Sequence, residues 1–159
     1  MFMREIETAR LRLRTWREDD LAPYARISAD PEVMRRYLSG PMTCEHSEQQ
    51  VSEFVRHWEE RGFGLWAVEE KSSGTFIGLL YHEDWSEGKH RTEVGWRLGR
   101  PFWGLATEGA MASLRYGFEE VGLDLIISIA VPENLASRRV MEMLGMTLRE
   151  ARPASRDPM

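Results

Sequence analysis

The spacing of apolar residues changes abruptly at Ala106, and that change constrains the fold more than any other feature of the chain. Upstream, residues 92–98 read as a strand. Downstream, Ala106, Ala110, Met111, Leu114, Phe118 and Val121 recur at the spacing of one helical face, and Gly122 supplies a stop. Residues 125–131 then form an apolar run rich in β-branched side chains, the pattern of a strand buried on both faces. Asn134 stands where an N-cap belongs and opens a helix that closes at Gly145. Strand, loop, helix, strand, helix in so short a stretch requires a sheet with helices packed against it.

The remaining segments extend the same plan. Residues 10–16 alternate strictly, so Arg10, Arg12 and Arg14 fall on one strand face, read as solvated, and Leu11 and Leu13 on the other. Asp19 and Asp20 open a helix running to about Ala29, and Asp30-Pro31 restarts a short one. Gly40-Pro41 breaks the chain. A longer helix over 45–61 carries Val51, Phe54, Val55 and Trp58 at helical spacing and ends at Gly62. Residues 65–70 and 75–84 are two strands of a hairpin turning through Lys71-Ser72-Ser73-Gly74, and 92–98 adds a third. The expected class is mixed α/β (α+β).

Composition excludes several functions. A net charge of −5 argues against nucleic acid as a partner, which needs clustered positive charge. No apolar run approaches the length of a membrane span, and residues 1–13 lack the apolar stretch of a secretory signal, so a cytoplasmic location is the default. Cys44 is the only cysteine, so neither an internal disulfide nor a structural zinc site is expected, and the neighbouring Glu45 opposes a thiolate. It reads as a loop or helix-start cysteine.

Chemistry concentrates between residues 96 and 145. The loop Trp103-Gly104-Leu105 feeds the helix at Ala106, and a helix start presents unpaired N–H groups and a positive dipole end to anions. Gly104 lets an anion approach the main chain. Asn134 and Ser137 share the first turn of the last helix.

Taken together, three segments resemble the GNAT N-acetyltransferase superfamily, in its ribosomal-protein-alanine acetyltransferase-like (RimJ/RimL-type) branch. They are Glu93-Val94-Gly95-Trp96-Arg97-Leu98, Trp103-Gly104-Leu105-Ala106-Thr107-Glu108-Gly109-Ala110, and the stretch from Val131-Pro132-Glu133-Asn134 through Ser137-Arg138-Arg139 to Leu144-Gly145-Met146. Thr8-Ala9-Arg10-Leu11-Arg12-Leu13-Arg14 and Asp30-Pro31-Glu32-Val33-Met34 look like that branch too, so the resemblance spans almost the whole chain. It implies a single acetyltransferase domain over residues 1–150, built on a mostly antiparallel sheet flanked by helices, with 151–159 a disordered tail.

The resemblance also implies a site. Acetyl-CoA would be the co-substrate, with no metal. Its pantetheine arm would lie between two splayed strands, pairing with main-chain groups near Trp96, Arg97 and Leu98. Its pyrophosphate would rest on Trp103, Gly104, Leu105, Ala106 and Thr107, with Asn134 and Ser137 completing the coenzyme site. A primary amine, on a protein N-terminus or a small molecule, would attack the thioester directly. Glu93 is the candidate base, with His82, Glu83 and Asp84 as rivals. Ser137 is the candidate partner of the departing sulfur, because Met141 occupies the position where many members carry an acidic tyrosine.

Two departures stand out. The branch usually reads Trp-Gly-x-Gly-x-Ala-Thr-Glu before the helix, and this chain is two residues shorter there, which removes N–H groups from the pyrophosphate seat. Residues 146–150 can form one short strand, but the family's usual last strand has no counterpart after them, so strand 125–131 is expected to have an open edge, favouring a homodimer or an exchanged strand. The acceptor site is expected from the N-terminal helices and the loop at 85–90, with Trp58, Trp66 and Trp85 as walls or, by ordinary burial, as core.

Overall fold

The sheet grows outward from the hairpin. The computed structural model describes residues 5–35, 37, 40–85 and 91–148, the side chains of 80–85 and 91 excepted. Its strands are β1 (Ile6–Glu7), β2 (Leu11–Arg14), β3 (Leu65–Glu70), β4 (Thr75–Trp85), β5 (Arg91–Leu98) and β6 (Ile126–Ile127). They lie side by side in chain order. Every pairing is antiparallel except β5 with β6, which the intervening helix makes parallel. The helices are α1 (Leu21–Ala29), α2 (Pro31–Met34), α3 (Cys44–Arg61), α4 (Ala106–Arg115) and α5 (Leu135–Met143).

Local chemistry sets the helix ends. The Asp30 carboxylate accepts the Glu32 N–H at 3.0 Å, and Thr43 Oγ1 accepts the His46 N–H at 3.2 Å, so α2 and α3 start on side-chain caps. Cys44 is exposed in the first turn of α3. Gly62 ends that helix at φ 76°, a left-handed conformation that glycine adopts without strain.

Helices cover both faces of the sheet. On one face α1 and α3 pack Tyr24 and Val51 against Trp16, Leu65, Ala67, Phe76 and Leu79. On the other, α4 packs Ala106 and Ala110 against Leu11, Leu13, Trp66, Val68, Ile77 and Leu98. Strand β3 therefore buries both its alternating sets, as a central strand must. The indole N–H groups of Trp16 and Trp58 both donate to the Leu65 carbonyl at 2.9 Å, so these large rings are buried with their polar ends satisfied.

A bulge distorts β4. Val68 faces Gly78 but Glu69 faces Phe76, which leaves Ile77 as the extra residue. Gly78 has φ 144°, and a Cβ there would lie 2.1 Å from the Arg97 carbonyl oxygen. Only glycine lets β4 and β5 approach this closely.

Four expectations are corrected. Arg14 is not solvated: it is 3% exposed, because the 3-10 turn Glu18–Asp20 folds Asp20 back over it and Glu69 stands alongside. The run 125–131 supplies only the two-residue β6, and Leu125 and Ile129 are 58% and 49% exposed. Among the described residues no strand pairs with its outer edge. Met111 and Phe118 are also exposed. Met111 stands about 100° around the helix from Ala110, and a π turn over Tyr116–Val121 rotates the face that carries Phe118. Finally, 146–148 form no strand, while 149–150 and the expected tail 151–159 lie outside the described residues.

Candidate active site

Strand β5 is the spine of the site. It pairs with β6 only at Thr92–Ile126 and Glu93–Ile127, and beyond Glu93 the two strands have no ladder between them. The Gly99 N–H donates to the Ile77 carbonyl at 2.9 Å. In an antiparallel ladder successive residues point their backbone groups to opposite sides. Arg97 and Gly95 therefore turn N–H and C=O toward β4, whereas Trp96 and Leu98 turn theirs toward the gap. The gap is a polar edge beside an open wedge.

Two side chains occupy that edge. The Tyr37 hydroxyl donates to the Trp96 carbonyl at 2.8 Å, and the Trp103 indole N–H donates to the Leu98 carbonyl at 2.9 Å. Both carbonyls are acceptors that a ligand with amide N–H groups can compete for. On the wedge's other side stands α5, capped by Asn134, whose Oδ1 accepts the Ser137 N–H at 3.2 Å. The Trp96 indole N–H donates to Ser137 Oγ at 3.3 Å. Trp96 and Ser137, 41 residues apart in sequence, thus meet across the gap. With its oxygen accepting that bond, the Ser137 hydroxyl keeps its proton for another acceptor.

The segment before α4 is a helix rather than a loop. Residues Arg100–Leu105 form a 3-10 helix that runs straight into α4, and the Ala106 N–H is spent on the Trp103 carbonyl. Leu105 and Ala106 are buried in the core, Thr107 is half-buried, and Trp103 and Gly104 are exposed. Nothing lies within 4 Å of a Cβ built on Gly104. The start of α4 is anchored from β2's side. Glu108 accepts from the Thr8 hydroxyl at 2.6 Å and from Arg10 Nε at 2.8 Å and its backbone N–H at 2.9 Å. Burial is the largest single influence on Glu108 and resists its ionisation, but these bonds together outweigh it and hold its carboxyl below 4.5.

Glu93 and Arg97 lie on the opposite face of β5 from Trp96, toward α1 and α3. Glu93 is half-buried, and the register sets it directly opposite Glu83, with His82 and Asp84 opposite Val94 and Thr92. Around Arg97 sits a cluster that sequence reasoning missed. Its Nη1 donates to the Tyr24 hydroxyl at 3.0 Å, Tyr24 donates to Gln50 Oε1 at 2.6 Å, and the guanidinium carbon lies 4.4 Å from the Tyr37 ring centre. Strand β5, helices α1 and α3 and the segment after α2 supply these groups, and no local motif announces them. Trp58 and Trp66, considered as acceptor walls, are core residues stacked edge-on at 4.4 Å. Residues 86–90 of the expected acceptor loop lie outside the described residues.

A parallel pair that opens into a wedge, with a helix start at one end and a capped helix beside it, has clear relatives. The sequence matches the acetyltransferase (GNAT) domain family over residues 10–147. The chain belongs to that family. The FsC-acetyl coenzyme A-N(2)-transacetylase of Aspergillus fumigatus is 33% identical over 153 residues, covering 89% of this chain and 64% of that protein. This acetyltransferase chain superposes on the crystal structure of the acetyltransferase from Agrobacterium tumefaciens with a TM-score of 0.83 and 26% identity, covering 98% and 90% of the two chains. It shares its fold with RimL, the ribosomal L7/L12 α-N-protein acetyltransferase crystallised with coenzyme A. The TM-score is 0.78 at 15% identity, covering 92% and 86%. Among the described residues no helix is long and apolar enough to cross a membrane.

Proposed function

We propose that this member of the family is a cytoplasmic, acetyl-CoA-dependent N-acetyltransferase acting on a primary amine, either a protein N-terminus or a small molecule. One observation carries the reading. The wedge beyond Glu93 presents the Trp96 and Leu98 carbonyls on one side and Ser137 Oγ on the other. A pantetheine arm carries amide N–H groups that suit those carbonyls, and lying there it would bring its sulfur to α5. Binding requires Tyr37 and Trp103 to yield their bonds. The pyrophosphate end would then lie toward Trp103, Gly104 and Thr107.

The reaction follows from placement. The amine, held on the Glu93 side, attacks the thioester carbonyl, and Glu93 accepts its proton, directly or through a water. As the tetrahedral intermediate collapses, the sulfur leaves as a thiolate hydrogen-bonded by Ser137, whose oxygen is steadied by the Trp96 indole. An unperturbed serine hydroxyl is a weak acid, so its part is to stabilise charge while solvent completes protonation. The Aspergillus fumigatus relative, an acetyl coenzyme A-N(2)-transacetylase, supports this reading.

A second reading rests on the 3-10 helix. With the Ala106 N–H consumed internally and the loop two residues short, the chain offers few donors for a pyrophosphate. It would then be a binding or regulatory module with feeble coenzyme affinity. Thermal denaturation with increasing acetyl-CoA separates the two, since a ligand that binds only the native state raises the melting temperature. The enzyme reading expects a saturable rise and thiol release with an amine acceptor. Ser137→Ala should lower kcat by about tenfold, the loss of roughly one hydrogen bond to the thiolate. No rise in a folded sample favours the module.

The open side of β6, with Leu125 and Ile129 exposed, supports one further element of the proposal, a homodimer or exchanged strand covering that edge. A strictly monomeric mass by light scattering at high concentration would exclude it.

A further inference from the structure

The Arg97 cluster carries charge that nothing in it balances. Arg97 is half-buried and forms no ion pair with a carboxylate among the described residues. Its Nε is buried without a hydrogen-bond partner. Its neighbours are neutral: burial pushes the Tyr24 and Tyr37 phenols above their ordinary 10.0, so both stay protonated at neutral pH. The Tyr24 hydroxyl is already committed to Gln50 as donor, and the Tyr37 hydroxyl to the Trp96 carbonyl. A guanidinium is a fixed fork of donors matched to a planar oxyanion, and a half-buried one without such a partner is held at a cost.

The position of the cluster says what would use that charge. Arg97 and Glu93 share one face of β5, four residues and therefore about 13 Å apart at their Cα atoms. Tyr37 bridges the interval: its ring lies under the guanidinium, and its phenol senses the Glu93 charge. On the same strand, the Trp96 indole points to the opposite, thiol-facing side. A molecule lying along this face meets a carboxylate at one end and an unmatched guanidinium at the other. We propose that Arg97, framed by Tyr24 and Tyr37, is a specificity-determining anchor for a carboxylate on the acceptor, so that the preferred acceptor is an amine bearing a carboxylate several bonds away. This rests on the transferase reading for the place of the amine, but the anion subsite exists independently of turnover.

Calorimetry on the full chain tests it, with γ-aminobutyrate and ε-aminocaproate each compared with its own amide. The wild-type protein should bind at least one carboxylate tenfold or more tightly than the matched amide. That ratio should fall to about one in Arg97→Met and retain a few-fold in Arg97→Lys, which keeps the charge but not the fork. Thiol-release kinetics with acetyl-CoA should show the same ratios in KM rather than kcat. A wild-type ratio near one, no measurable binding of either form, or an undiminished ratio in folded Arg97→Met overturns the proposal. If Arg97→Met does not fold, the wild-type ratio and Arg97→Lys decide. An Arg97-dependent ratio in a protein that neither binds nor turns over acetyl-CoA would leave the subsite standing and remove the transferase reading. The converse result would do the opposite.

Discussion

Replacing Arg14 by methionine tests how the buried ion cluster at the start of the sheet supports the fold. Arg14 gives two bonds to Asp20, at 2.7 and 2.9 Å, one to Glu69 at 2.8 Å and one to the Thr15 carbonyl at 3.0 Å. The hydrogen bonds it donates to Asp20 lead the influences that strengthen its hold on its proton, so it is charged at every accessible pH. Charge-assisted bonds are worth roughly 1.5–3 kcal/mol each, but removing the guanidinium also removes its own desolvation cost. Breaking a buried pair from one side typically costs 3–5 kcal/mol, because the partner charge is stranded. Here the stranding is incomplete. Glu69 keeps Arg12 at 3.2 Å, and Asp20 keeps the Arg17 backbone N–H at 2.8 Å. The lower end applies, about 3 kcal/mol, or roughly 6–12 °C in Tm for a chain of this size.

A double substitution separates this mechanism from simple loss of packing. Urea denaturation at neutral pH measures the loss in each variant. A loss under about 1 kcal/mol in Arg14→Met would refute the argument that uncompensated charge dominates. Arg14→Met combined with Asp20→Leu should recover part of the loss.

Other outcomes follow from the same structure. Gly78→Ala should cost about 3 kcal/mol and loosen β5, since a Cβ there meets the Arg97 carbonyl at 2.1 Å; a loss under 1 kcal/mol by denaturant melt would show that the strands part easily. Because the folded Glu108 carboxyl lies below 4.5, its contribution is present above that pH and lost as acid protonates it. Glu108→Gln should thus lower stability by about 1 kcal/mol at pH 7 and by less at pH 3.5, and an equal loss at both would count against the Thr8–Arg10 anchor. The raised phenols of Tyr24 and Tyr37 act in the opposite sense. Their contribution is complete below pH 10 and declines as pH rises through their folded values, so alkaline unfolding should begin later in Tyr37→Phe than in the parent.

Much of this protein was legible in its sequence. Local signals are sufficient where the chain punctuates itself: Gly62 ends α3, Asp30-Pro31 starts α2, Asn134 caps α5, alternation marks β2, and the turn Lys71-Ser72-Ser73-Gly74 marks the β3–β4 hairpin. The residues joining strand to helix and the Asn134 turn were enough to recognise the family, because each is a backbone requirement carried by one or two residue types. The solvated reading of Arg14 failed for a different reason. Alternation says which residues share a face, not what covers it, and only the return of the turn at Asp20 decides that this arginine is enclosed. The same limit applies to residues 125–131, whose apolar character could not reveal that the strand would stop after Ile127 and leave Leu125 and Ile129 exposed.

The functional groups divide along that line. Local signals settle that Ser137 sits in the first turn of a capped helix and that Glu93, Trp96 and Arg97 lie on one strand. Folding of the whole chain was needed to decide that the Trp96 indole reaches Ser137, that the Tyr37 hydroxyl closes the Trp96 carbonyl, and that Arg97 lies over Tyr37 beside Tyr24. The reason is physical. Helix caps and strand alternation are fixed by interactions over a few residues, whereas these contacts join α1, the segment after α2, β5 and α5. Their partners are chosen only when the sheet has formed and its two faces have been covered.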